Sequence, residues 1–146
     1  MWKIHSPPKT RLFLWCVLEN KVPTWDNLQK RGFQGSGSCV LCKAESVIHL
    51  FLTCPYCVQV WKECVKLLGL GLECRWEGDS ILLAWENWKK MESLEIMAAL
   101  PFLVTWGIWL ARNNLIFNGK ACTPSITASM SCGVIQALPS HIQVKN

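Results

Sequence analysis

The chain has 146 residues, 51% of them hydrophobic and 17% charged, which is enough apolar material for a compact core and excludes disorder as its default state. Its net charge of +5 is unevenly placed: Met1 to Lys66 hold nine Lys/Arg against four Asp/Glu, and the remaining residues balance at six each. Nine cysteines, an odd number with five of them crowded between Cys39 and Cys64, do not make a disulfide framework and point to a reducing, intracellular compartment, nuclear or cytoplasmic.

In chain order, Pro7-Pro8 launch a first helix, because proline is tolerated in a first helical turn. Leu14, Val17 and Leu18 then share one face, and Pro23 ends the helix. Behind Lys9 and Arg11, the run Leu12 to Leu18 imitates a signal-peptide core, yet it leads into Glu19-Asn20-Lys21 and not into small residues at a cleavage site. Thr24 to Arg31 is predicted as a second short helix, with Thr24 as N-cap, Asp26 facing the helix dipole and Gly32 as the left-handed terminator. Gln34 to Ser38 is a glycine-containing turn that delivers the chain to Cys39.

Ser46 caps a brief helical turn holding His49, and Pro55 opens a longer helix with an apolar face of Val60, Cys64, Leu67 and Leu68, stopped by Gly69 and Gly71. Trp76, Trp85 and Trp88 precede a long helix predicted from about Met97 to Ile116, which Pro101 starts or kinks. Its stripe of Trp106, Trp109, Leu110, Asn113 and Phe117 reads as core. The apolar stretch Ile96 to Ala111 is too short to span a bilayer. From Lys120 onward, Ser, Thr, Pro and Gly read as a linker or frayed tail. The fold class is therefore mainly α: a small helical domain over residues 1–68, a Trp-rich helical segment over 69–119, and a linker-like tail over 120–146.

The chemistry concentrates in CVLCKAESVIHLFLTCPYC, which holds Cys39, Cys42, His49, Cys54 and Cys57. A C-x2-C turn aims two sulfurs at one point, and a helical turn followed by a bend can close His49 and Cys54 onto the same ion, giving one structural Zn2+. A four-cysteine set using Cys57 is the competing arrangement, and an iron–sulfur cluster on the same four cysteines would leave His49 without a role. A catalytic zinc would need an open position and a carboxylate base, for which Glu45 is the nearby acid. The sequence carries no Gly-rich phosphate loop and no G-x-S-x-G elbow, and Asp26 and Asp79 are its only aspartates. A cysteine nucleophile working with His5 or His141 has no local pattern behind it. The expectation is a binding or scaffolding module with no catalytic residues.

Several strings occur in a specific order: PPKTRLFLW (Pro7 to Trp15), VPTWDNLQKRG (Val22 to Gly32), CVLC (Cys39 to Cys42), ESVIHLFLTCPY (Glu45 to Tyr56), then Trp61. Together they resemble the zinc-binding domain found downstream of the reverse transcriptase in plant non-LTR retrotransposons. The resemblance implies Cys39, Cys42, His49 and Cys54 as ligands and a helical wrap around the metal; Cys57 departs from the family's pattern. TWGIWLARNNLIFNGK (Thr105 to Lys120) looks like the segment that commonly trails this domain before a ribonuclease H-like domain, so the chain reads as part of a longer element protein.

The partners this implies are the reverse transcriptase and ribonuclease H domains of a parent element. RNA or DNA is a further partner, bound weakly and non-specifically through phosphate contacts from Lys9, Arg11, Lys30, Arg31 and Lys43. Neither a membrane nor a small-molecule substrate is implied. The alternatives are a protein–protein interaction domain with no nucleic-acid role, or an accessory part of an RNA-directed DNA polymerase and ribonuclease H assembly.

Overall fold

The structure, a computed structural model, describes residues 8–34, 46–70, 76–91 and 98–136. The mainly α expectation holds: the described residues form helices and turns and contain no strand. The helices are α1 (Pro8–Leu18), α2 (Trp25–Lys30), α3 (Pro55–Leu67), α4 (Ile81–Met91), α5 (Leu100–Asn118) and α6 (Pro124–Gln136), with a wide π-type turn at His49–Thr53 between α2 and α3.

Helix α1 ends sooner than its proline suggests. Asn20 adopts a left-handed backbone with φ of 54°, and the Asn20 and Lys21 amides close onto the carbonyls of Val17 and Cys16, so the chain has turned before it reaches Pro23. Asparagine tolerates this conformation better than other residues with a Cβ. The buried Asn27 of α2 fixes the turn, its side-chain amide donating to the Val22 carbonyl at 2.8 Å and to the carbonyl and side-chain oxygens of Asn20 at 3.1 and 3.0 Å. Asn27→Ala leaves those oxygens without their donor and is expected to cost about 1–3 kcal/mol. Urea denaturation should show it as a lower midpoint at unchanged slope.

Helix α2 starts and stops where expected. Thr24 is its N-cap, but the hydroxyl donates to the Asp26 carboxylate, which in turn accepts the Asn27 amide at 2.9 Å. Gly32, at φ of 90°, takes the left-handed position after the helix.

Helix α3 begins at Pro55 and buries Cys57, Val60, Trp61 and Cys64. Leu67 faces outward, so Trp61 and not Leu67 completes the apolar face. Helix α4 was not anticipated as a helix. The Ser80 hydroxyl accepts the Leu83 amide at 3.1 Å, an N-cap on the first turn, and the helix buries Ile81, Ala84, Trp85 and Trp88.

Helix α5 has Pro101 in its first turn, so the proline starts it and no kink is needed. Gly119, at φ of 65°, closes it. The expected stripe is only partly core. Trp109 is buried and Trp106 half-buried, whereas Leu110 and Phe117 are exposed, because the buried surface of α5 wraps all round its first half, from Leu100 to Thr105, and narrows afterwards.

The linker-like reading of the tail is corrected for residues 124–136. Thr123 accepts the Ile126 amide through its hydroxyl at 3.3 Å, Pro124 occupies the first turn, and α6 packs against both α3 and α5. Its inward residues are small: Thr127, Ala128, Ser131 and Cys132 are buried. Gly107 of α5 permits the approach, since a Cβ there would stand 2.7 Å from the Ser131 Oγ, which donates to the Leu103 carbonyl at 3.2 Å.

One buried cluster joins residues from α1, the π-type turn, α3, α4, α5 and α6. It runs across the expected boundary between residues 68 and 69. Phe13 of α1 lies 5.9 Å from Phe51, 5.2 Å from Trp106 and 5.8 Å from Trp109, so the His49 turn and α5 meet on the same aromatic ring.

Candidate metal centre

Of the expected ligands, His49 and Cys54 lie within the described residues, while Cys39 and Cys42 lie outside them. The local sequence explains where the first two go. Ser46 accepts the His49 amide through its hydroxyl at 3.0 Å, an N-terminal cap that starts the turn as expected, and the Ser46 carbonyl accepts the Leu50 amide at 2.9 Å. Leu50, Phe51 and Leu52 are then pulled into the core.

The turn is wide. The Cys54 amide bonds back to the His49 carbonyl at 2.7 Å, a five-residue closure characteristic of a π-type turn, a rarity that tends to mark functional positions. The closure sets His49 and Cys54 one wide turn of backbone apart. Cys54 then leaves the helical conformation, at φ −57° and ψ 131°, and Pro55 begins α3. Histidine is half-buried and Cys54 is fully buried.

Among the described residues no group of three or more His, Cys, Asp or Glu is gathered in a way that could hold a metal ion. A four-ligand site would therefore draw donors from outside the described residues. The donor set fits zinc chemically, with one imidazole and up to three thiolates.

Cys57 lies three residues beyond Cys54, in the first turn of α3, and is fully buried. Burial pushes its thiol well above the ordinary value. Tyr56, between the two cysteines, donates its hydroxyl to the Cys122 carbonyl at 2.6 Å and shares a 2.8 Å contact with the Thr127 hydroxyl. It anchors the start of α3 to the start of α6, and burial raises its pKa.

Residues 1–61 match the family described as zinc-binding in reverse transcriptase. The matched residues make up less than half of the chain. Over 63 residues the chain is 32% identical to a provisionally named ribonuclease H protein of Arabidopsis thaliana, a match that covers 42% of this chain and 10% of that protein. The chain thus spans about a tenth of the length of that relative. No solved structure matches.

The matched region ends at Trp61, and the structure shows what that residue does. Its ring stacks on Trp76 at 5.2 Å and lies 5.0 Å from Trp88, while the Trp76 Nε1 donates to the Phe51 carbonyl at 2.8 Å. The zinc-binding domain is thereby roofed by tryptophans that come from outside it. Sequence reasoning missed this pairing, although the nine tryptophans signalled large rings in need of cover.

Of the basic residues named as phosphate contacts, Lys30 and Arg31 are exposed at the end of α2, Lys9 is exposed on α1 and Arg11 is half-buried. The Lys9 ammonium stands 5.3 Å over the Trp106 ring. Lys43 lies outside the described residues. A separate cleft of about 400 Å³ lies between α5 and α6, lined by residues including Leu110, Asn113, Phe117, Cys122 and Met130. Among the described residues no carboxylate or imidazole lines it. No helix among the described residues is long and apolar enough to cross a membrane.

Proposed function

We propose that this chain is a structural zinc-binding module of a retrotransposon-derived polyprotein, with Cys39, Cys42, His49 and Cys54 as ligands, and that it acts as an interdomain scaffold and not as an enzyme. The observation that carries the ligand set is the π-type turn, which sets His49 and Cys54 one wide turn apart. Bound there, zinc supplies a cross-link: it ties the C-x2-C loop to the entrance of α3. The protein's own residues do the rest. Ser46 starts the turn, Leu50 and Phe51 anchor it in the core, and Pro55 redirects the chain. The experiment is native mass spectrometry with zinc quantification, and one zinc per chain is expected. A chain that folds without metal would overturn the reading.

The scaffold role draws support from the shared core. Phe13, Phe51 and Trp109 unite the zinc-binding domain with α5, so the domain presents α5 and α6 to whatever adjoins them. The family and the ribonuclease H name of the relative favour reverse transcriptase and ribonuclease H domains as neighbours.

Nucleic-acid binding is the second reading, favoured by Lys30 and Arg31 standing together and exposed beside Gly32. Phosphate contacts from Lys9, Arg11, Lys30, Arg31 and Lys43 would give affinity without reading bases. If all five engage single-stranded RNA, affinity is expected to fall about a hundredfold between about 50 and 200 mM salt. A fluorescence-anisotropy titration that shows no salt dependence would rule this mode out.

A further inference from the structure

Two buried thiols lie outside the proposed zinc site. Cys64 on α3 is fully buried and Cys132 on α6 is 1% exposed. They belong to the pair of helices that α6 joins by its small-residue face. The Cys132 sulfur stands 4.0 Å from the Cys64 carbonyl oxygen, which sets the two cysteines against each other across the contact between α3 and α6. Ala128, one turn before Cys132 on α6, is fully buried as well.

We propose that Cys64 and Cys132 form an oxidative cross-linking site, which hydrogen peroxide converts into a disulfide that locks α6 onto α3. Two neighbouring thiols are what such a bond needs, and closing to an S–S length of about 2.05 Å requires the sulfurs to rotate toward each other. Peroxide suits a covered pair because it is scarcely larger than water, whereas bulky disulfide reagents would have to displace α6.

The two sulfurs are not equivalent. The neighbouring Cys64 side chain holds the Cys132 thiol below its ordinary pKa, and the neighbouring Cys132 together with burial pushes Cys64 up. Cys132 is therefore the attacking sulfur. Its thiolate attacks one peroxide oxygen; an S–O bond forms, the O–O bond breaks, and the departing hydroxide takes up the thiol's proton as water, leaving a sulfenic acid. The Cys64 sulfur then attacks the oxidised sulfur. The S–S bond forms, the S–O bond breaks, and hydroxide leaves with the Cys64 proton as a second water. Two thiols lose two electrons and two hydrogens, and one peroxide is reduced to two waters.

The test treats the zinc-loaded full chain with one equivalent of hydrogen peroxide, blocks remaining thiols by alkylation, and maps a tryptic digest without reductant. The expected product joins the peptide of residues 63–66 to that of residues 121–145, two hydrogens lighter than their sum, with fragmentation placing the link on Cys132 and not Cys122. Dithiothreitol should separate the two. The oxidised chain should also melt at a higher temperature than the reduced one, because the bond closes a long loop. Recovery of Cys64 and Cys132 as alkylated thiols or as sulfinic acids would overturn the proposal, as would Cys64 linked to Cys57 or Cys122.

Discussion

His49→Ala is expected to abolish zinc binding and cooperative unfolding together, while Cys57→Ala keeps both. Structural zinc contributes about 10–16 kcal/mol of apparent binding energy in small zinc domains, which is as large as the whole stability of an ordinary domain at about 5–15 kcal/mol. Loss of a ligand therefore unfolds the domain instead of loosening it. The two candidates occupy different surroundings. His49 opens the π-type turn and is half-buried, whereas Cys57 sits in the core on the face of α3 that also carries Cys64.

Electrostatics point the same way. Three thiolates and one neutral imidazole leave a single excess negative charge at the metal, and four thiolates leave two that the surroundings would have to compensate. Removing the Cys57 sulfur should cost only what a small core truncation costs, about 1–2 kcal/mol. Zinc content and thermal melting of both variants, measured on one preparation of each, decide the matter. Zinc lost from Cys57→Ala and kept by His49→Ala would reverse the assignment.

What the sequence made legible was local. Proline and serine at the starts of helices, and glycine at their ends, are chemical signals carried by single residues, so α2, α3 and α5 lie close to their predicted places, as does the turn started by Ser46. Helix α6 was illegible for a physical reason. Its buried face is built from Thr127, Ala128, Ser131 and Cys132, and small polar residues give no hydrophobic period; the face is apolar enough only because Gly107 lets α5 come close. The N-terminal signal was nonetheless present in Thr123-Pro124, a cap followed by a first-turn proline.

The candidate site divides in the same manner. The brief turn holding His49 was readable, but its wide form was not, since Leu50, Phe51 and Leu52 are all drawn into the core. The aromatic stripe on α5 misled because periodicity reports one face, while Phe102, Leu103 and Val104 are buried on several. Arg112 shows the limit of composition: it is 3% exposed, its guanidinium lies 4.4 Å over Trp109, and it donates to Asn113 at 2.8 Å. A basic residue counted toward surface charge is here a core residue stacked on a ring.

Trp88→Ala is expected to destabilise the zinc-binding domain even though Trp88 lies well beyond its last matched residue. Trp88 is 1% exposed and packs on Trp61, which stacks on Trp76. Trp76 in turn holds the Phe51 carbonyl inside the turn that begins at His49. Truncating a buried tryptophan costs about 3–5 kcal/mol, and at this chain length that corresponds to a fall in Tm of about 10 °C or more. Because the cavity would open beneath Trp61, the loss should appear in the same transition that releases zinc, and the variant should need more zinc to reach half-folding. Trp88→Phe, which keeps a ring in the site, should lose less. If residues 1–68 instead melt as an independent unit, calorimetry would show two transitions, and Trp88→Ala would move only the one that does not depend on zinc. A single transition shifted as a whole places the tryptophan roof and the metal in one cooperative core, which is the arrangement a scaffold needs to hold α5 and α6 at a fixed angle to the zinc-binding domain.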